Sequence, residues 1–136
     1  MSLIETMLRT HPHPPAHSET LQTAIVAAYE CAQICTSCAD ACLSEPAPEE
    51  LRSCIRLDLD CAEICLVTGT LLSRIGTATA DLKQAQLRLC LMACRLCEEE
   101  CMHHAKRHEH CRICAQACRS CREACERLLE APPRAH

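Results

Sequence analysis

The sequence predicts an all-α protein: an antiparallel up-down-up-down four-helix bundle with a short extra N-terminal helix. Three observations carry this. The 136 residues include two glycines, one Tyr, no Phe and no Trp, and the remainder is rich in Ala, Leu, Glu and Arg, all good helix formers. Sixteen cysteines fall into four runs whose spacings are mostly three and four residues. At about 100° per residue, alternation of three and four keeps the thiols of a helix within an arc of roughly 80°. Breaks containing Pro or Gly separate the runs, and short connections between long helices give an antiparallel bundle.

The elements follow in order. Ser2 with Glu5 makes a capping box for a first helix ending near Arg9. His11-Pro12-His13-Pro14-Pro15-Ala16-His17 breaks it, so residues 1–17 read as a short helix and a stiff linker. The three linker histidines read as polar spacers, with metal recruitment the lesser alternative. The bundle proper spans 18–131. Ser18 caps its first helix, which runs to about Leu43 and carries Cys31, Cys35, Cys38 and Cys42. Pro48, followed by Glu49 and Glu50, reads as the first turn of the next helix. That helix carries Cys54, Cys61 and Cys65, with Asp58 where the spacing would place a fourth cysteine, and stops near Gly76. Thr77 or Thr79, with Asp81, opens a helix carrying Cys90, Cys94, Cys97 and Cys101, whose register continues as His104 and His108. After a tight turn between Lys106 and His110, the last helix carries Cys111, Cys114, Cys118, Cys121 and Cys125. This last stripe is about 21 Å long. Pro132-Pro133 closes the helix and leaves 132–136 as a tail.

Each stripe is expected to face inward. Leu82, Leu89 and Leu96 form a flanking row on one helix, and Ile34 and Ala41 on another; these rows are expected to make the helix-to-helix seams. Leu57, Leu59 and Leu66 surround more of their helix than one face can bury, which points to a subunit interface for some of them.

Composition narrows the function. The formal charge is −4 with acids and bases interspersed, and there is no aromatic platform, which argues against nucleic acid as a partner. No apolar run approaches a membrane span. The N-terminal residues lack a basic n-region, an apolar h-region and a twin arginine, so the expected compartment is the reducing cytoplasm and the cysteines are expected as thiols. No nucleophile–base pair stands apart from the cysteine rows, so no enzymatic activity is expected.

Cysteine as a mere small core hydrophobe does not account for sixteen in phase. Disulfide staples would need only two per helix at matched heights. Metal binding remains. Four Cys-x2-Cys pairs occur, Cys35/Cys38, Cys94/Cys97, Cys111/Cys114 and Cys118/Cys121, but on helices rather than on the wrapping loops of zinc ribbons or iron–sulfur sites. Charge is sharper. Sixteen thiolates holding about four tetrahedral Zn²⁺ would leave about eight negative charges in a narrow dry core. Filled with roughly one Cu(I) per cysteine, each thiolate bridging two ions, the core is neutral, and Cu(I) is content with two soft ligands. Many Cu(I) ions per chain is therefore the expected load. An iron–sulfur carrier, a zinc-thiolate protein and a disulfide-stapled interaction module are the alternatives. At one end of the bundle the topology gathers Cys42, Cys54, Asp58, His104, His108 and Cys111. Imidazole is a harder ligand than thiolate and can pass an ion inward, so this end reads as an entrance.

On these four stripes the chain, from about residue 18 to 130, resembles the copper storage proteins, and specifically their cytosolic branch. The resemblance implies a cysteine-lined four-helix bundle, many Cu(I) ions per subunit, a histidine-supplied open end and a homotetramer. The partners expected are the copper ions, exchanged with a copper chaperone or small thiols. Exported members carry a signal peptide and entrance methionines; here Met7, Met92 and Met102 form no such row. Asp58 departs from an all-cysteine stripe, so bridging at its level is the open point.

Overall fold

The computed structural model describes residues 2–76 and 80–131. Helix α1 spans Leu3–Arg9 and α2 spans Ser18–Leu43; a 3-10 turn at Pro48–Leu51 leads into α3, Arg52–Ser73; α4 spans Ala80–His104 and α5 spans Glu109–Glu130. Helices α2 and α4 each lie against both α3 and α5, so the four long helices close into a square. Thiol pairs show the directions. Cys42 meets Cys111 and Cys35 meets Cys118 across α2 and α5, while Cys54 meets Cys101 and Cys65 meets Cys90 across α3 and α4. All four neighbouring pairs are therefore antiparallel, as short connections require.

Local chemistry sets the helix ends. The backbone N–H of Glu5 donates to Ser2 Oγ at 3.1 Å, half of the capping box. At α2 the cap differs from expectation. His17, not Ser18, holds the N-cap position, with φ 57° in the left-handed region and no side-chain cap, and Ser18 is already helical. Helix α3 stops at Ser73, short of Gly76. Arg74 turns extended there, and the Lys83 ammonium donates to the freed carbonyls of Arg74 and Gly76. Pro48 sits in the first turn before α3, followed by Glu49 and Glu50. Thr77 and Thr79, and the closing Pro132-Pro133, lie outside the described residues; Asp81 stands in the first turn of α4.

All sixteen cysteines point inward and are 2% exposed or less. The seams are not what the leucine rows predict. Leu82, Leu89 and Leu96 are 56%, 44% and 42% exposed: each lies about 100° off its stripe, on the flank of α4, and the neighbouring helices leave that flank partly uncovered. Ile34 and Ala41 are half-buried. Alanine makes much of the seam instead: Ala24, Ala28, Ala32 and Ala39 on α2, and Ala115, Ala117 and Ala124 on α5, are all buried. Small side chains let the helices approach closely enough for thiols to meet across the centre. One glycine serves the same close approach. A Cβ at Gly69 would lie 2.7 Å from the Tyr29 ring, which packs over α3 at that point.

The two ends of the square differ. Where α2 and α4 begin and α3 and α5 end, the buried residues are aliphatic: Leu21, Ile25, Leu72 and Leu87. Helix α1 adds the buried Leu8 to the same core, and Gln22 of α2 reaches Ser2 at 3.2 Å. The opposite end carries the histidines. Outside the square, Leu57, Ile64, Leu89, Met92 and Leu96 line a shallow groove between α3 and α4.

Candidate metal centre

Because spacings of three and four follow the helical period, every stripe delivers its thiols to the central axis, and the square brings four stripes together. Sγ–Sγ contacts across helices include 3.5 Å for Cys54–Cys101 and 4.0 Å for Cys65–Cys121. Groups of donors whose atoms lie within 4.8 Å of one another include Cys31/Cys65/Cys94/Cys121, Cys31/Cys35/Cys61/Cys118, Cys35/Cys97/Cys114/Cys118 and Cys38/Cys42/Cys54/Cys111. The first three share members: Cys31, Cys35 and Cys118 each belong to two of them. The ladder therefore does not divide into separate tetrahedral sites. It suits thiolates that bridge. Cys125 continues it toward the aliphatic end, fully buried beside Cys121 and Cys90 in its electrostatic surroundings. Burial keeps the proton on Cys42 at the histidine end: its thiol is pushed up to about 12, first by loss of water and next by Cys54. Loading with metal must displace such protons.

Asp58 is completely buried. It lies between two levels of thiols. Oδ1 accepts from Cys97 at 3.2 Å, Cys114 at 3.2 Å and Cys101 at 3.5 Å, and Oδ2 is 3.9 Å from Cys54. It joins Cys38, Cys54 and Cys101 as a mixed oxygen–sulfur donor group. Burial, then the negative potential of Cys114 and Cys54, pushes its carboxyl up to about 8.

The family model for copper storage proteins matches residues 17–130. This chain belongs to the copper storage protein family. The copper storage protein Ccsp of Streptomyces lividans, in its structure loaded with 10 copper equivalents, is 46% identical, with a TM-score of 0.89 over 93% of this chain and 97% of that one. The Cu(I)-bound copper storage protein BsCsp3 is 32% identical, with a TM-score of 0.72 over 81% of this chain and 98% of that one. The cysteine-rich protein YhjQ of Bacillus subtilis (strain 168) is 35% identical over 90 residues, 66% of this chain and 78% of its own length.

In this copper storage protein the histidine end is only partly as its sequence reads. Cys42 and Cys111 meet at 3.9 Å, and Cys54 joins their donor group with Cys38. Asp58 sits deeper, at the Cys97 and Cys114 level, rather than at the rim. His104, on the last turn of α4, holds the Glu100 carboxylate through Nε2 at 2.8 Å. His108 caps α5 and holds Glu45 through Nδ1 at 3.1 Å. The imidazole that touches thiols is His110, which the register argument passes over. Its Nδ1 lies 3.5 Å from Cys38 Sγ, 3.6 Å from Cys111 Sγ and 3.9 Å from Cys42 Sγ. The available signal was the cluster of five histidine-end residues His103, His104, His108, Glu109 and His110, dense enough to be read as one unit.

The buried carboxyl gives a pH dependence with a definite sign. Asp58 has a folded pKa near 8 against an unfolded value near 3.8, so between these pH values the folded chain holds the extra proton. Its contribution to stability therefore falls as pH rises from about 4 to about 8. Chemical denaturation of metal-free protein should show this decline. Asp58→Asn should flatten it and be the more stable protein above pH 8. A parallel decline in the variant would remove Asp58 as the cause.

Proposed function

We propose that this chain is a non-catalytic cytoplasmic store and buffer of Cu(I), its sixteen cysteines acting as bridging ligands in one continuous core. The observation that carries this reading is the sharing of thiols between overlapping donor groups. A dry neutral lumen of bridging thiolates suits a soft ion with low coordination number, where Zn²⁺ would require separate four-ligand cages. Asp58 is the one hard donor within the row. His104, His108 and His110 form the mouth through which the ion, exchanged with a copper chaperone or small thiols, reaches Cys38, Cys42 and Cys111.

The cytoplasmic assignment is supported by a relative, the Streptomyces lividans protein, described as cytosolic, and by the thiol chemistry, which needs a reducing compartment. None of the described helices is long and apolar enough to cross a membrane. The exposed Leu89, Met92 and Leu96 of α4, which line one groove with Leu57 and Ile64 of α3, support assembly of these chains through that face as a homotetramer. Sedimentation at a single chain mass would remove this assembly.

The test is an anaerobic Cu(I) titration of reduced protein against a competing chelator, with thiols counted in parallel. Uptake should approach about one Cu(I) per thiol, with close to one proton released per ion. Saturation near about four ions per chain would instead favour separate tetrahedral sites and sink the storage reading.

A further inference from the structure

At the mouth, one side chain outside the thiol row touches two of the histidines. Glu45 Oε2 is 2.9 Å from His110 Nε2 and 3.1 Å from His108 Nδ1. The two rings lie 5.4 Å apart with 27° between their planes. The histidines reach the same oxygen through different nitrogens. A carboxylate oxygen accepts hydrogen bonds, so each imidazole, when neutral, keeps its proton on the nitrogen facing Glu45 and its lone pair on the other. For His110 the lone pair is then on Nδ1, the atom 3.5 Å from Cys38 and 3.6 Å from Cys111. For His108 it is on Nε2. One acceptor thus favours opposite tautomers in the two rings, through a hydrogen bond to His110 and an ion-pair contact to His108.

We propose that Glu45 is the positioning residue of the copper mouth: its single oxygen, shared by His108 and His110, sets which nitrogen each offers to an incoming ion. The proposal rests on the Cu(I)-storage reading with entry at the histidine end. The scaffold around Glu45 suits the role. The Ser44 N–H returns to the carbonyls of Asp40 and Ala41, each at 3.1 Å, and the Glu45 N–H returns to Cys42 at 3.2 Å, which fixes its backbone on the end of α2. His108 and His110 come from the opposite loop and the first turn of α5, where the His108 carbonyl accepts from Cys111 at 3.1 Å. Glu45 therefore ties the α2–α3 connection to the α4–α5 connection across the opening. Its chemistry is that of the outer carboxylates that hold metal-binding imidazoles, whose removal costs about 10- to 100-fold in metal affinity or activity. Glu100 holds His104 in the same way, Nε2 to Oε2 at 2.8 Å, but within one helix, and it is its other oxygen that lies 4.0 Å from His103 Nδ1. An ion accepted at His108 Nε2 can move to His110 Nδ1 and on to the thiols with neither ring exchanging its proton.

The His108 assignment provides a signature that a mere loop brace would not. The neutral histidine side chain in water favours the proton on Nε2, so His108 protonated on Nδ1 is the minority form, maintained by its acceptor. The experiment uses full-length protein with ¹⁵N-labelled histidine at about pH 8, where free imidazole is neutral. Long-range ¹H–¹⁵N spectra assign the tautomers of His108 and His110, and stopped-flow kinetics follow transfer of the first Cu(I) from a chelator complex. In the parent protein His108 should be protonated on Nδ1 and His110 on Nε2, with the first Cu(I) shifting His110 Nδ1. Glu45→Ala should return His108 to the Nε2–H form and slow first-ion transfer about tenfold, with final capacity near that of the parent. Glu45→Gln, whose amide oxygen still accepts N–H, should recover most of both. Glu45→Ala loading at the parent rate while His110→Ala is slow would overturn the Glu45 role and leave the mouth standing. If His110→Ala also loads at the parent rate, the mouth reading itself falls and Glu45 with it. An Nε2–H His108 in the parent protein, or Glu45→Gln as slow as Glu45→Ala, would equally overturn the proposal.

Discussion

Loading with Cu(I) should raise the thermal transition by more than about 20 °C, while the room-temperature circular dichroism of metal-free and loaded protein stays nearly the same. The second half follows from the metal-free core. Cysteine packs as a small hydrophobe, the thiols contact one another, and among the described residues no buried side-chain nitrogen or oxygen lacks a hydrogen-bond partner. Even Asp58 accepts from three thiols within 3.5 Å. The bundle therefore has no structural need for metal. The first half follows from linkage. An ion at about 100 times its dissociation constant stabilises the state it binds by about 2.7 kcal/mol, and several ions act together. A domain of this size moves roughly 3 to 4 °C per kcal/mol. The ions would also tie antiparallel helices through pairs such as Cys54–Cys101 and Cys65–Cys90. A metal-free chain that is unfolded by circular dichroism, or a transition that copper leaves in place, would contradict this account.

The second large effect separates the two ends of the lumen. His108→Ala with His110→Ala should slow early Cu(I) uptake from a chelator by about tenfold or more, and chelator-driven removal with it. Total capacity should fall by only a few ions, because most thiols lie deeper and thiolate holds Cu(I) more tightly than imidazole. Cys90→Ala with Cys125→Ala, toward the aliphatic end, should do the reverse. Early rates should hold and capacity should drop by about two ions, the bridging thiolates being the ligands removed. The asymmetry comes from the ends themselves. Leu21, Ile25, Leu72 and Leu87 bury one end behind aliphatic side chains, while Nδ1 of His110 reaches three thiols at the other. If the two double variants exchange phenotypes, copper enters past the aliphatic residues and the mouth is misplaced.

What sequence alone determined here was everything governed by helical period. Spacings of three and four in Cys31–Cys42, Cys90–Cys101 and Cys111–Cys125 follow an intrinsic repeat of the backbone, so the four helices, their inward faces and the soft-ligand lumen were legible without coordinates. Asp58 was legible as a member of the row for the same reason, although its depth was not. Two things waited for tertiary structure. Leu82, Leu89 and Leu96 have the regularity of a seam, yet their exposure depends on how closely neighbouring helices approach. Alanine, not leucine, sets that distance on α2 and α5. His110 lies one residue from Cys111, about 100° off the stripe, so periodicity dismisses it. It joins the row because the first turn of α5 crosses the last turn of α2, bringing Nδ1 to Cys38 while Glu45, 65 residues away in sequence, holds the other side of the ring. Period is a local property of the chain and can be read from it; which off-stripe side chain reaches across an opening depends on the placement of two helix ends, and that exists only in the packed fold.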